Sequence, residues 1–418
     1  MSYLSTSQMN HLLDQLSSKY ECLLEARKNL ETDCLRLRDN IDQQVLQIHS
    51  LSEEFRKLKQ EFIAKKGVIE KNFEKANEES NEPNYENSPE WELDTLVPPE
   101  KITCPVIIGL IAEIYDLSPI CSTSFSQDGN FLAIGTDKTL RVYAIEQDDF
   151  AFEYTIGDKD QEVSQNHIRS ILFSKDGQKL ITGSEDACVR MFNIPNKVLT
   201  DTININNGEI FQVQISHNEE FIVIASGNGS VTVFPLNDFT RKREFKCSDS
   251  TAATTVAISD DDKYLFVGYS NTNIGIWDIE SGKQIYYQSC HVNGIYSLIL
   301  IENSTRLVTA SLGKTIKIWD IVIEDEKATL NPSKTLEGHQ EYVLTLAADP
   351  TYKWLVSGSK DLTVRISDLK TGEMIYSLKG HTNTILTVAF NPNGSMFCSG
   401  SADKTVKLWS ISPEQAIE

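Results

Sequence analysis

An all-β, seven-bladed propeller preceded by a long N-terminal α-helical oligomerisation segment is the fold this sequence predicts. Three observations carry the prediction. Seven strand-like segments recur along the last three quarters of the chain. Apolar residues repeat in alternating steps of three and four from Met9 to Ile69. Between the two patterns lies an acidic stretch, residues 76–100, that holds four Pro, eight carboxylates and no basic residue.

The first pattern along the chain is the heptad. One set of positions is Leu13, Tyr20, Arg27, Cys34, Ile41, Ile48, Phe55, Phe62 and Ile69; the other is Met9, Leu16, Leu23, Leu30, Leu37, Gln44, Leu51, Leu58 and Lys65. Only Arg27, Gln44 and Lys65 break the stripe, and residues 1–82 contain no Pro. A heptad sustained over this length predicts a coiled coil or bundle helix of roughly 90 Å. Such a stripe is unstable facing water, so it predicts self-association across the seam Leu13, Leu16, Tyr20, Leu23, Leu30, Leu37 and Ile41. Leu12 and Leu24 widen the stripe, which favours three or four helices over two. Residues 1–75 are thus expected to be the oligomerisation domain, and 76–100 an extended linker.

From residue 101 to 418 the segments TLRVYAI, CVRMFNI, SVTVFPL, NIGIWDI, TIKIWDI, TVRISDL and TVKLWSI place a marker at Tyr143, Phe192, Phe234, Trp277, Trp319, Ser367 and Trp409. A period of 40–50 residues, with the pairs Gly338–His339, Gly380–His381, Trp277–Asp278 and Trp319–Asp320, resembles the WD40 β-propeller pattern, one four-stranded blade per repeat. Little chain follows the third strand of the last repeat. The β-prone run Val106–Ile111 is expected to supply its outer strand and close the ring.

Within the repeats a second pattern appears. A His precedes the first strand, a Ser or Thr sits in the second, an Asp at the next turn and a Trp in the third. Blade seven has His381, Ser399, Asp403 and Trp409; blade six has His339, Ser357 and Asp361, with Ser367 in place of Trp. Blade five has His291, Thr309 and Trp319 but Gly313 in place of Asp, and blade two keeps Thr182, Asp186 and Phe192. Ser, His and Asp together resemble a hydrolase triad. A triad repeated imperfectly around a ring, with no glycine elbow or oxyanion motif, reads instead as a buried hydrogen-bonded brace. No catalytic residue is expected. Gly313–Lys314–Thr315 lacks the upstream Gly of a phosphate loop, and Asp260–Asp261–Asp262 lacks calcium-loop spacing. The eight Cys include no CxxC, so neither metal nor cofactor is expected.

The formal net charge of −21 disfavours direct DNA binding, which needs Lys and Arg on phosphates, and welcomes basic partners. The longest apolar runs are too short to cross a membrane, and MSYLSTSQMN does not read as a secretory leader. Arg241–Lys242–Arg243 with Lys246 reads as a solvated basic loop, with a nuclear import signal as the alternative.

Helix and blades together resemble the fungal Tup-type general transcriptional co-repressors, Groucho-like WD40 proteins. The likeness rests on NHLLDQLSSKYECLLEARKNLE at the start and on TAATTVAISDDDKYLFVGYSNTNIGIWD, HVNGIYSLILIENSTRLVTASLGKTIKIWD and EGHQEYVLTLAADPTYKWLVSGSKDLTVRISD in the fourth to sixth blades. It covers residues 9–75 and about 101–411. The resemblance implies a homotetrameric helical bundle and a tetratricopeptide-repeat co-repressor partner. It also implies recruitment by DNA-bound repressor proteins, contact with histone tails and a place in the nucleus. The family's long segment between helix and propeller is only 25 residues here. The family's repressor-binding face corresponds to Cys121, Ser170, Glu185, Phe211, Tyr296, Lys360 and Asn383, with Arg169 and Leu386 at equivalent strand entrances. A G-protein β-like signalling scaffold, which also joins an N-terminal helix to seven blades, is the alternative.

Overall fold

Blades three to six share one physical problem, a second strand that is apolar on both faces. Ile222–Ile224, Leu265–Val267, Leu307–Val308 and Leu355–Val356 are runs whose side chains are all buried, as central strands stacked between neighbouring sheets require. The computed structural model describes residues 91–98, 105–145, 149–155, 166–206, 208–247 and 249–413. These form seven antiparallel sheets. The first six blades occupy 122–155, 168–204, 210–246, 253–289, 295–336 and 343–379, each a four-stranded meander from the channel outward. All seven marker residues lie on the third strands. The hydrophobic core is a series of clusters shared by adjacent blades, such as the one joining Val356, Ile366 and Tyr376 of blade six to Ile385, Phe397 and Trp409 of blade seven. The heptad seam from Leu13 to Ile41 lies outside the described residues.

Blade seven takes its outer strand from the other end of the propeller sequence, as expected. Strand β2, Val106–Tyr115, pairs antiparallel with Thr405–Pro413, from Val106 opposite Pro413 to Tyr115 opposite Thr405. It is longer than the run Val106–Ile111 suggested. A bulge between Leu110 and Ala112 lets it follow the blade's twist.

The acidic stretch differs from the expectation of a plain linker. Strand β1, Glu92–Thr95, adds a fifth strand to blade six, with Glu92 opposite Lys379 and Thr95 opposite Tyr376. Lys379 pairs with Asp94 at 2.8 Å and Glu92 at 3.3 Å. Trp91 meets the Trp409 ring edge-on at 5.4 Å, and Val97 packs on the same core. Within a strongly acidic stretch, WELDTLV carries enough apolar surface to dock, and its two carboxylates find a lysine.

Candidate functional site

Around the channel the first strands are tied to one another by side chains. The amide of Val213 donates to Ser170 Oγ at 3.0 Å, Val256 to Gln212 Oε1 at 2.9 Å and Leu298 to Thr255 Oγ1 at 3.1 Å. Leu346 donates to Ser297 Oγ at 3.2 Å, Val388 to Thr345 Oγ1 at 3.1 Å and Thr123 to Thr387 Oγ1 at 3.2 Å. At the junction of blades one and two, Ser122 Oγ donates to the Ile168 carbonyl at 2.6 Å. Each junction thus satisfies a polar group that the inward-facing strand would otherwise leave buried and unpaired. Sequence reasoning missed this ring. Its signal is a polar residue, short in every case but Gln212, at the third position of the first strands of blades two to seven.

The polar sets lie one layer further out. In blade seven Trp409 Nε1 donates to Ser399 Oγ at 2.9 Å, and Ser399 Oγ lies 2.8 Å from His381 Nε2. His381 Nδ1 is 2.8 Å from Asp403 Oδ2. The carboxylate only accepts, so Nδ1 carries a proton, and in the neutral ring Nε2 accepts from the serine hydroxyl. Asp403 also accepts from the Thr382 and Thr405 amides, each at 2.9 Å, and from Thr405 Oγ1 at 2.7 Å. Burial raises the Asp403 pKa, but these bonds, led by His381, outweigh it and hold the carboxyl well below its usual range. Ser399 has no exposed surface, so no substrate reaches its hydroxyl.

Blade six repeats the geometry, with His339 Nδ1 to Asp361 Oδ2 at 2.8 Å and Nε2 to Ser357 Oγ at 2.9 Å. Ser367 leaves the chain without its tryptophan donor, and its own buried hydroxyl has no partner. In blade five Trp319 Nε1 donates to Thr309 Oγ1 at 2.9 Å, and His291 Nε2 lies 2.8 Å from the same hydroxyl. With Gly313 in place of the acid, burial and the nearby Lys317 push the His291 pKa down to about 3. Blade two departs from the sequence pattern. Thr182 Oγ1 is buried without a partner, while Asp186 and Ser184 bond to Arg190, which replaces the histidine.

The channel, about 560 Å³ in volume, is lined from the strand-one entrances at Arg169 and Tyr296 to the turns after the first strands at His217, Asp260 and Tyr352. Of the residues expected at the partner-binding face, Cys121, Arg169, Ser170, Phe211, Tyr296 and Leu386 line it. Glu185, Lys360 and Asn383 stand in the turns beside it. Arg169 lies 6.0 Å over the Phe211 ring and pairs with Glu185, which also takes His167 Nδ1 at 2.6 Å. Burial raises the Glu185 pKa, but the bonds from His167 and Arg169 bring it below its ordinary value. Lys360 Nζ lies 4.9 Å from the Tyr342 ring. Asn383 caps its own loop, its Oδ1 accepting from the Thr384 amide at 2.8 Å.

Ser170 is 7% exposed and its hydroxyl is engaged with Val213, on the channel wall. Cys121 is equally enclosed, and burial pushes its thiol up to about 12. Conversely, Leu344 lines the channel at the place Tyr296 and Leu386 hold in their blades, and Val292 stands beside the mouth 83% exposed. Leu344 was legible from the repeat alignment; the exposure of Val292 was not.

A family model described as WD domain, G-beta repeat matches residues 113–144, 160–193, 239–278, 282–320, 330–368 and 372–410, more than half of the chain. The stretch it leaves between 194 and 238 holds most of blade three, where Asn228 stands in the second-to-third-strand turn in place of the Asp. Among curated relatives, the Periodic tryptophan protein 2 homolog of Caenorhabditis elegans is 26% identical over 204 residues, 49% of this chain and 22% of that protein. Transcription factor unc-37 of Caenorhabditis elegans is 22% identical over 52% of this chain and 36% of its own length. Ribosome biogenesis protein YTM1 of Scheffersomyces stipitis is 23% identical over 62% of this chain and 56% of its own. The chain spans less than a quarter of the length of the first of these. The solved β-propeller domain of Myceliophteria thermophila Cps50 (Swd1) superposes with a TM-score of 0.65 at 14% identity, covering 73% of this chain and all of that domain.

Proposed function

The chain belongs to the WD-repeat family, and on that premise we propose that it is a non-enzymatic general co-repressor scaffold acting in the nucleus. Its N-terminal helix assembles copies into a tetramer and docks a tetratricopeptide-repeat protein. Its propeller face receives segments of DNA-bound repressors, and its acidity suits basic histone tails. The observation that carries the reading is the channel mouth: Tyr296, Phe211, Leu344 and Leu386 offer apolar surface beside the Arg169–Glu185 pair and Lys360. Apolar anchors beside charged groups suit peptide capture, and four weak sites on one assembly gain avidity of roughly 10²–10⁴ without new contacts. The buried Ser–His–Asp sets serve as braces for the blades. The likeness to the transcription factor unc-37 supports the transcriptional reading.

Tethering the chain to a reporter promoter through a heterologous DNA-binding domain tests it. Reporter output should fall at least severalfold, and unchanged output sinks the proposal. The likeness to Ribosome biogenesis protein YTM1, over more than half of that protein, favours a second reading as an assembly scaffold for ribosome precursors. Co-sedimentation of the chain with pre-ribosomal particles, together with an unresponsive reporter, supports that reading.

A further inference from the structure

Eleven large hydrophobic residues are exposed among the described residues, and six of them, Leu93, Leu96, Ile107, Ile111, Tyr115 and Leu117, fall within one stretch of 25 residues. Two sit on or beside β1 and four on or beside β2. Ile107 is 57% exposed and Leu117 85%. Strand β2 is the outer strand of blade seven, with Thr405–Pro413 on one side and no strand on the other among the described residues. Its sequence, VIIGLIAEIY, has one charged residue, Glu113, and that carboxylate is held by Lys407 Nζ at 2.7 Å.

Proteins protect exposed edges with charges, proline, short length or a covering segment. The outer strands of blades three, five and six show such devices. Blade three has the four-residue REFK, blade five has KATLNPSKTL with its lysines and proline, and blade six is covered by β1. Strand β2 carries only its bulge. The covered edge of blade six is also a precedent within the molecule: an extended segment already adds to a blade here by antiparallel pairing.

We propose that the open β2 edge pairs with the β2 edge of a second copy of this chain, joining two propellers rim to rim about a twofold axis. The occupant follows from where the chain enters the propeller. Residues 1–90 precede the first described residue, Trp91, on this same rim. The heptad pattern ends near residue 75, so about 15 residues separate it from the rim, a reach of at most about 50 Å. Copies held together by their helices therefore keep their β2 rims at high effective concentration. The proposal rests on the reading that residues 1–75 associate copies.

The test uses the full chain carrying photo-reactive benzoylphenylalanine at Ile107, and in a separate preparation at Val198, an exposed site on the outer strand of blade two. After irradiation, native mass gives the number of copies and peptide mapping locates the adducts. The expected result is an oligomer in which the probe at 107 joins residues 105–117 of another copy, in at least tenfold higher yield than the probe at 198 gives. An oligomer with no adduct at 107, or with adducts mapping elsewhere, overturns the rim pairing and leaves the helical association standing. A monomeric mass overturns both. Ile107→Lys with Ile111→Lys, monitored through a probe at Leu117, should abolish the adduct without changing the melting temperature; a persisting adduct counts against the pairing.

Discussion

Ser399, Asp403 and His381 show how little residue identity says about chemistry until burial is known. The same three groups that activate a nucleophile on an open surface form, with Trp409 on the remaining lone pair, a closed chain of donors and acceptors. Asp403→Ala leaves His381 Nδ1–H and the Thr382 amide without their acceptor, so it should cost about 1–3 kcal/mol of stability. A melting temperature equal to the parent's would contradict the brace. His291 makes the opposite point. Its folded pKa, about 3, lies below the unfolded value near 6.5, so the unfolded chain binds the extra proton as the pH falls through that window. Stability is therefore lost on acidification below about pH 6.5, by about 2 kcal/mol at pH 5 for this one group. In His291→Gln, denaturant unfolding at pH 5 and pH 7 should give nearly that much less difference than in the parent; an unaltered difference rules the assignment out. Asp403 and Asp361, held low, contribute stability that is present above about pH 4 and disappears only in stronger acid.

At the scale of the element, the propeller is closed twice by the same 25 residues. β2 completes blade seven, and β1 lies on blade six with Trp91 reaching the blade-seven core. The Val106 amide donates to the Tyr376 hydroxyl at 3.3 Å, so the two blades are also joined across the strap. Deleting residues 101–112 removes most of β2 and should replace one cooperative unfolding transition with a broader one at lower temperature, which calorimetry would record. Trp91→Ala, at a half-buried site, should cost roughly 1–3 kcal/mol while leaving the transition cooperative. Equal melting for Trp91→Ala and the parent would mean that β1 only decorates blade six. The closing strand was readable in advance because a propeller with an incomplete last blade needs an apolar partner and Val106–Ile111 offered one. β1 was not, because charge dominates its stretch and the Lys379 that offsets it lies 285 residues away by number.

For the molecule as a whole, the mouth of the channel and the rim of blades six and seven are different surfaces, proposed for a peptide segment and for a second copy. Tyr296→Ala removes an exposed ring, so it should weaken capture of repressor segments about tenfold or more while leaving the melting temperature within a degree or two. Retained affinity would move the contact away from the mouth. Removing residues 1–75 should yield monomeric propellers by light scattering if the helices alone hold the copies, and a residual dimer if the β2 rims do so as well.

The number of blades, the place of the third strands, the polar sets of blades five to seven and the strand that closes the ring all follow from local sequence. Period and strand pattern are set by neighbours along the chain, and a missing strand leaves an apolar segment in need of a partner. Only the tertiary structure decided that Ser170 ties blade two to blade three, that ELDT is a strand and that β2 has no strand on its outer side among the described residues. Each of these depends on what a side chain or an edge meets across the ring, and that is fixed by closure rather than by sequence neighbours.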